Sequence, residues 1–412
     1  MRKFIKYSLV LSLGMVINFA AICQNNRDPI VYTTGSYRDA NGISHACYWT
    51  GTVRTDLPVP EGNIGSGAGF IIIESNTIYI GGSYTDSDRK QHPCYWKGNV
   101  RTDLTLPEGF DMYASMGIAV VNNTFYSGGW LFDRSRSELS ACYWRETMCT
   151  ILAPGNSSVE YFSVVNDTVY TAGWDDNSSD NACYWIGTTK VYLPPRNSSM
   201  VSALTVVNDT VYTAGSYKDR DRNQRACYWI GNRRTDLTFH GRAVAMIVKN
   251  DTVYSAGYYD DENSERRACY WVGNSRTDLP IPSNKYSIIS TITAMNDTVY
   301  TVGYYGNSEE NYHACYWEGT NRTDLPIPSG TIVGELRLSV ANGTVYTAGV
   351  YGEKHNENDN DPRVTLGGHR DLTGVPIWLK NTTACYWIGN RRIDLPVPTG
   401  ARNSRLVALV VK

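Results

Sequence analysis

Missing from this sequence is any excess of charge of one sign. Thirty-eight Lys and Arg stand against 40 Asp and Glu, a formal net charge of −2. There is no basic footprint, which excludes nucleic acid and anionic membrane surfaces as electrostatic partners. Long apolar runs are scarce too; beyond the first two dozen residues none reaches the length of a membrane span. Only six His occur, scattered along the chain, and no Cys-x-x-Cys or Cys/His cluster appears. A zinc or soft-metal cage is therefore disfavoured. Helix-type periodicity is weak. What is abundant is Tyr, with 30 residues, and Gly, with 36; such a Tyr-rich, turn-rich composition points to an all-β fold.

The first 23 residues read as a targeting segment. Arg2, Lys3 and Lys6 form a positive start, and 8–21 is an apolar stretch of signal-sequence length, short for a membrane span. Ala21 and Cys23 fit positions −3 and −1 of a cut before Gln24. The rival reading attaches lipid to Cys23, and the bulk of Ile22 stands against it. The expectation is an exported chain, periplasmic, cell-surface or secreted, with one domain over 24–412.

That domain is a repeat. Cys47, Cys94, Cys142, Cys183, Cys227, Cys269, Cys315 and Cys385 each open a Cys-Tyr-Trp triplet, at spacings of 47, 48, 41, 44, 42, 46 and 70. A period in the forties with several strands per unit is the mark of a β-propeller. Within one period, 202–207 leads through Asn208-Asp209 into 210–217, and Asn-Asp suits a tight hairpin because both residues tolerate positive φ. After a variable loop, 226–231 gives a third strand and Arg234-Thr-Asp-Leu a fourth. A Pro-x-Pro segment, clearest at 58–62, ends the unit, because Pro cannot continue a ladder. The first repeat starts at its second strand, 30–37, while Arg405-Leu-Val-Ala-Leu-Val-Val at the end reads like a first strand. The prediction is a closed propeller of eight four-stranded blades, the C-terminal strand completing the N-terminal blade. Closure leaves no large free sheet edge.

The repeat resembles the HAF-type extracellular repeat of bacterial proteins, whose pattern is His-Ala-Phe-x-Trp followed by Thr-Asp-Leu. His45-Ala-Cys-Tyr-Trp with Arg54-Thr-Asp-Leu carries the likeness, as does His313-Ala-Cys-Tyr-Trp with Arg322-Thr-Asp-Leu. Cys stands where that family has Phe, and only His45, His92 and His313 keep the histidine. The resemblance implies export and repeat structure. It implies no catalytic residue, since the family carries no agreed activity.

Several residue sets invite a chemical reading. The eight triplet cysteines occupy one place in eight different blades, too far apart for disulfides, and read as buried small apolar residues. Cys149 is the extra one, where other repeats carry Arg; it lies on the strand paired with that of Cys142, which leaves a disulfide there as the alternative reading. Arg54/Asp56, Arg101/Asp103, Arg234/Asp236, Arg276/Asp278, Arg322/Asp324 and Arg392/Asp394 each share one face of the outermost strand. Recurring once per blade, they cannot converge on one substrate and read as structural ion pairs. Acidic loops at 175–177, 219–221, 260–262 and 309–311 offer oxygens to Ca²⁺, without the ordered spacing of a calcium loop. The residue after the second-strand glycine varies: Ser36, Ser83, Trp130, Trp174, Ser216, Tyr258, Tyr304 and Val350. Trp130, Trp174, Tyr258 and Tyr304 are candidate stacking platforms, against ordinary packing between blades. The insertion at 352–383, with His355, His369 and Trp378, falls on the same loop-bearing face. Together these point to a non-catalytic module binding a protein or glycan there. A carbohydrate-active hydrolase or lyase is the alternative by analogy of fold, and a structural role in an envelope or matrix is a third.

Overall fold

In the computed structural model, residues 28–110, 112–175, 181–196, 198–282, 285–306, 312–354, 365–370 and 376–412 are described. The targeting segment and Cys23 lie outside them. Local chemistry sets the hairpins first. Asn166-Asp167, Asn208-Asp209, Asn250-Asp251 and Asn296-Asp297 all take positive φ at both positions, the geometry whose twist matches the flanking strands. Each turn joins a first strand to a second, as between Ser199–Val207 and Thr210–Lys218. A glycine at positive φ, such as Gly231, marks the turn from third strand to fourth.

Eight antiparallel sheets result, seven of four strands and one of five. Blade 1 joins both ends of the chain: Arg402–Val411 pairs with Val31–Arg38, followed by Ser44–Thr50 and Val53–Asp56. The first strands of blades 2 to 8 are Gly65–Glu74, Met112–Val121, Ser158–Val165, Ser199–Val207, Gly241–Lys249, Tyr286–Met295 and Ile332–Ala341. Each packs against the next, and Arg402–Val411 touches both Ile332–Ala341 and Gly65–Glu74. The ring is closed: this is an eight-bladed β-propeller with the first strands around its axis. No helix among the described residues is long and apolar enough to cross a membrane.

The repeat residues explain the packing. Each triplet Trp is fully buried, and in six blades its indole N–H crosses to the preceding blade. Trp49 donates to the Pro396 carbonyl at 2.9 Å, Trp96 to Pro58 at 2.8 Å, Trp229 to Pro194 at 2.8 Å and Trp387 to Pro326 at 3.1 Å. The proline after the leucine that closes the outer strand (Leu57, Leu193, Leu325 and Leu395) ends the ladder, so its carbonyl turns to the neighbour. Trp185 and Trp271 find no such acceptor. Both follow a blade whose outer strand carries a bulge, at Ala141/Cys142 and Ala226/Cys227, and the extra residue displaces the carbonyl.

The second-strand glycine has its own cause. A bulge in each first strand, such as Ala243/Ala245, pushes that strand's backbone toward its partner. A Cβ on Gly257 would collide with the Arg242 carbonyl, and one on Gly215 with that of Met200. The triplet cysteines are free and buried, one to a blade.

Candidate binding face

The strand order places the second-to-third loops and the fourth-to-first connections at one end of the ring, and the tight hairpins at the other. Two sets of polar residues recur near the loop-bearing end.

At the outer edge of six blades sits a clasp. Arg54 Nε lies 2.8 Å from Asp56, and the equivalent pairs at Arg101, Arg234, Arg276, Arg322 and Arg392 lie at 2.7–3.0 Å. The sequence reading of these as structural pairs fits, but it missed their third member. A tyrosine two residues past the second-strand glycine donates its hydroxyl to the same carboxylate: Tyr37 to Asp56 at 3.3 Å, Tyr217 to Asp236 at 3.1 Å, Tyr305 to Asp324 at 3.0 Å. The guanidinium lies over that ring, 3.8 Å from its centre for Arg234 and Tyr217. The signal was available in the sequence, because Tyr is absent at this place in the two blades that lack the Arg/Asp pair. There the residues are Leu131 and Asp175.

Burial first, and the neighbouring aspartate next, push the Tyr37 and Tyr259 hydroxyls up to about 12. The neutral phenol is the form that the fold favours. Its contribution is complete below the ordinary tyrosine range near pH ~10 and is lost as pH rises through the folded value. Ultraviolet titration should show a group of tyrosines ionising near pH 12, with the unfolding temperature flat to about pH 10 and falling above it. Ionisation of all tyrosines near pH ~10 in the folded protein would contradict the clasp.

The acidic loops are occupied by turn chemistry. Asp219 accepts from the Asp221 and Asn223 amides, both at 2.9 Å, and pairs with Arg225 at 2.7 Å. Asp261 does the same with Asn263, Glu265 and Arg267. Asp39 and Asp86 repeat the pattern with His45 and His92 in place of Arg. These contacts hold the four carboxylates below their usual range, the side-chain hydrogen bond being the largest cause at each. Ca²⁺ binding at Asp219 or Asp261 would have to displace these bonds. Most of 175–177 and all of 309–311 lie outside the described residues.

Nearer the axis, the predicted platforms separate. Trp130, Trp174 and Tyr258 are half-buried. The Trp174 indole donates to Glu160 at 3.2 Å, and Glu160 also accepts from the Ser158 hydroxyl at 2.6 Å. Arg266 lies over the Tyr258 ring, 4.1 Å from its centre, and 3.6 Å from Asp260. Tyr304 departs from the expectation. It is buried, its hydroxyl accepts from the Leu336 amide at 3.1 Å, and blades 7 and 8 enclose its ring. No face of Tyr304 is left for a ligand to stack on. The Trp378 side chain lies outside what is described. Of its insertion, Thr365–Arg370 pairs with the start of Pro376–Ile388, adding a fifth strand to blade 8.

Sequence reasoning passed over the charged residues on the first strands. Arg242 pairs in register with Tyr258 and reaches Ser202 of the preceding blade at 2.7 Å. Arg405, paired with Ser36, reaches Glu335 of the preceding blade at 3.0 Å. Glu160 and Glu335 both sit at first-strand bulges. Aligning the eight first strands would have exposed them, since their sister positions are mainly small or apolar.

No family model matches the chain, and no curated protein matches it. Among solved structures, the β-propeller domain of the Trilobed protease from Pyrococcus furiosus is similar over 81% of this chain and 96% of its own, at 7% identity and a TM-score of 0.45. A dihydro-heme d1 dehydrogenase is similar over 97% and 79%, at 9% identity and a TM-score of 0.48. A puromycin-hydrolyzing peptidase of Mycobacterium tuberculosis is similar at 11% identity and a TM-score of 0.44; the match takes in 78% of this chain but 57% of the peptidase. The propeller assignment rests on this chain's own sheets.

Proposed function

We propose that this chain is an exported, non-catalytic binding module that presents the loop-bearing end of its propeller to a protein or glycan. One contrast carries the reading. The residues that hold blades together recur around the ring: the buried Trp, the buried Cys, the second-strand Gly and the outer clasp. One layer near the axis does not recur. It carries Trp130, Trp174 beside Glu160, and Tyr258 beside Arg242, with Arg405 in blade 1. Half-buried aromatic faces beside fixed charged groups suit sugar rings and protein side chains alike. The kinship with HAF-type repeats belongs to the same proposal.

The test is thermal unfolding against polysaccharides and extracellular matrix proteins, with Ca²⁺ and chelator controls. A ligand of the native state at a hundred times its dissociation constant stabilises by about 2.7 kcal/mol. Replacing Trp130, Trp174 and Tyr258 together by Ala should abolish the shift while the unliganded protein still unfolds cooperatively. A ligand that binds this triple variant as tightly as the parent would place its site elsewhere on the ring. Turnover of a bound glycan would replace the binding reading with that of an enzyme.

A further inference from the structure

The outer clasp behaves as a unit when it changes. In blade 4 its ends are exchanged. Asp175 stands at the tyrosine's place, Tyr192 opposite Cys183 at the aspartate's, and Lys190 opposite Trp185 at the arginine's. The bonding survives the exchange, since Lys190 and Tyr192 both reach the Asp175 carboxylate. Blade 3 changes all three positions as well, to Leu131, Cys149 and Ile151, with Cys149 opposite Trp144 and Ile151 opposite Cys142. Leu131 is fully buried, so this edge has become apolar apart from its thiols. Cys149 is half-buried and packs against the cluster that contains Cys142. The two cysteines lie diagonal to each other across the third and fourth strands. The bulge between Ala141 and Cys142 twists the pair of strands at that point.

We propose that Cys142 and Cys149 are an oxidisable pair whose disulfide closes blade 3 where the other blades use an ionic clasp. The other seven buried cysteines each lack a second cysteine in their own blade. Cys149, the more exposed thiol, reacts first. As thiolate it attacks a small-molecule or protein disulfide, forming a mixed disulfide and expelling one thiol. Cys142 gives up its proton and attacks the Cys149 sulfur, expelling the second thiol. Two protein thiols are oxidised and one external disulfide is reduced to two thiols, so atoms and electrons balance. The bond joins the third strand to the fourth, whereas the clasp of the other blades ties the second strand to the fourth through its tyrosine and aspartate.

The experiment treats the folded protein with oxidised glutathione or with dithiothreitol, blocks free thiols by alkylation and digests with trypsin. Cleavage after Arg145 separates the two cysteines, so a disulfide appears as two peptides linked through Cys142 and Cys149. The expected result is that linkage, a loss of two hydrogens in intact mass, and an unfolding temperature higher by about 3 °C. Dithiothreitol should reverse both changes. Cys149→Ser, at a half-exposed position that need not disturb folding, should match the reduced parent and ignore the oxidant. Separate alkylated peptides after exhaustive oxidation would overturn the proposal, as would glutathione left on Cys149. A linkage that leaves the unfolding temperature unchanged or lower would overturn its role as a clasp.

Discussion

Truncation after Gly400 should abolish cooperative folding. The missing strand, Arg402–Val411, is the whole first strand of blade 1 and touches the first strands of blades 8 and 2. Leu406 is fully buried, and Ala408, Leu409, Val410 and Val411 pack into the two neighbouring clusters. At about 1.5–3 kcal/mol for each well-buried aliphatic side chain, their loss approaches the stability of an entire domain. It also leaves Val31–Arg38 as an open edge. The truncated chain should aggregate, or lose its sharp thermal transition, by calorimetry and circular dichroism. A permutant separates topology from mere loss of residues. Ile30 and Lys412 already exchange backbone hydrogen bonds, at 2.8 and 3.0 Å. Joining Lys412 to Ile30 through Asn-Asp and opening the chain after Gly400 therefore reproduces the hairpin of the other blades. That permutant should regain the parent's transition. A truncated chain that unfolds like the parent would mean that the ring does not need its closing strand.

The second large effect concerns the triplet tryptophans. Trp96→Ala removes a fully buried indole between blades 1 and 2 and should cost about 3–5 kcal/mol. The finer comparison uses phenylalanine. Trp96→Phe removes the bond to the Pro58 carbonyl, which contributes about 1 kcal/mol. Trp271→Phe removes a buried N–H that has no acceptor, which relieves a comparable penalty. The loss of ring volume is common to both, so Trp96→Phe should be the more costly by about 1–3 kcal/mol. Urea midpoints at matched m values measure the difference. Equal costs at the two positions would show that the indole-to-carbonyl bonds do not contribute to holding the blades together.

How far the site was legible follows from which residues are neighbours in sequence. The Arg/Asp pairs were visible because a spacing of two on one strand puts both on one face. Their tyrosine partner was not singled out, since Tyr37 and Asp56 meet only when the second and fourth strands flank the third. The aromatic positions were visible as variation between repeats. Whether each ring stays open depended on the neighbouring blade. Blade 8 encloses Tyr304 through Leu336, whereas Trp174 meets Glu160 within its own sheet. The acidic loops resembled cation ligands in composition, and backbone amides two and four residues on took up the oxygens of Asp219 and Asp261.

The sequence by itself determined the strand order, the eight blades, the positive-φ hairpins and the strand exchanged between the chain's ends. All of these are set by contacts within a repeat, where the period-two alternation and the turn residues act over a few positions and are copied eight times. The tertiary structure alone decided what happens between repeats. It showed which carbonyl each tryptophan finds and which aromatic ring a neighbouring blade covers. Those contacts join residues roughly forty positions apart, and a single bulged residue is enough to redirect them.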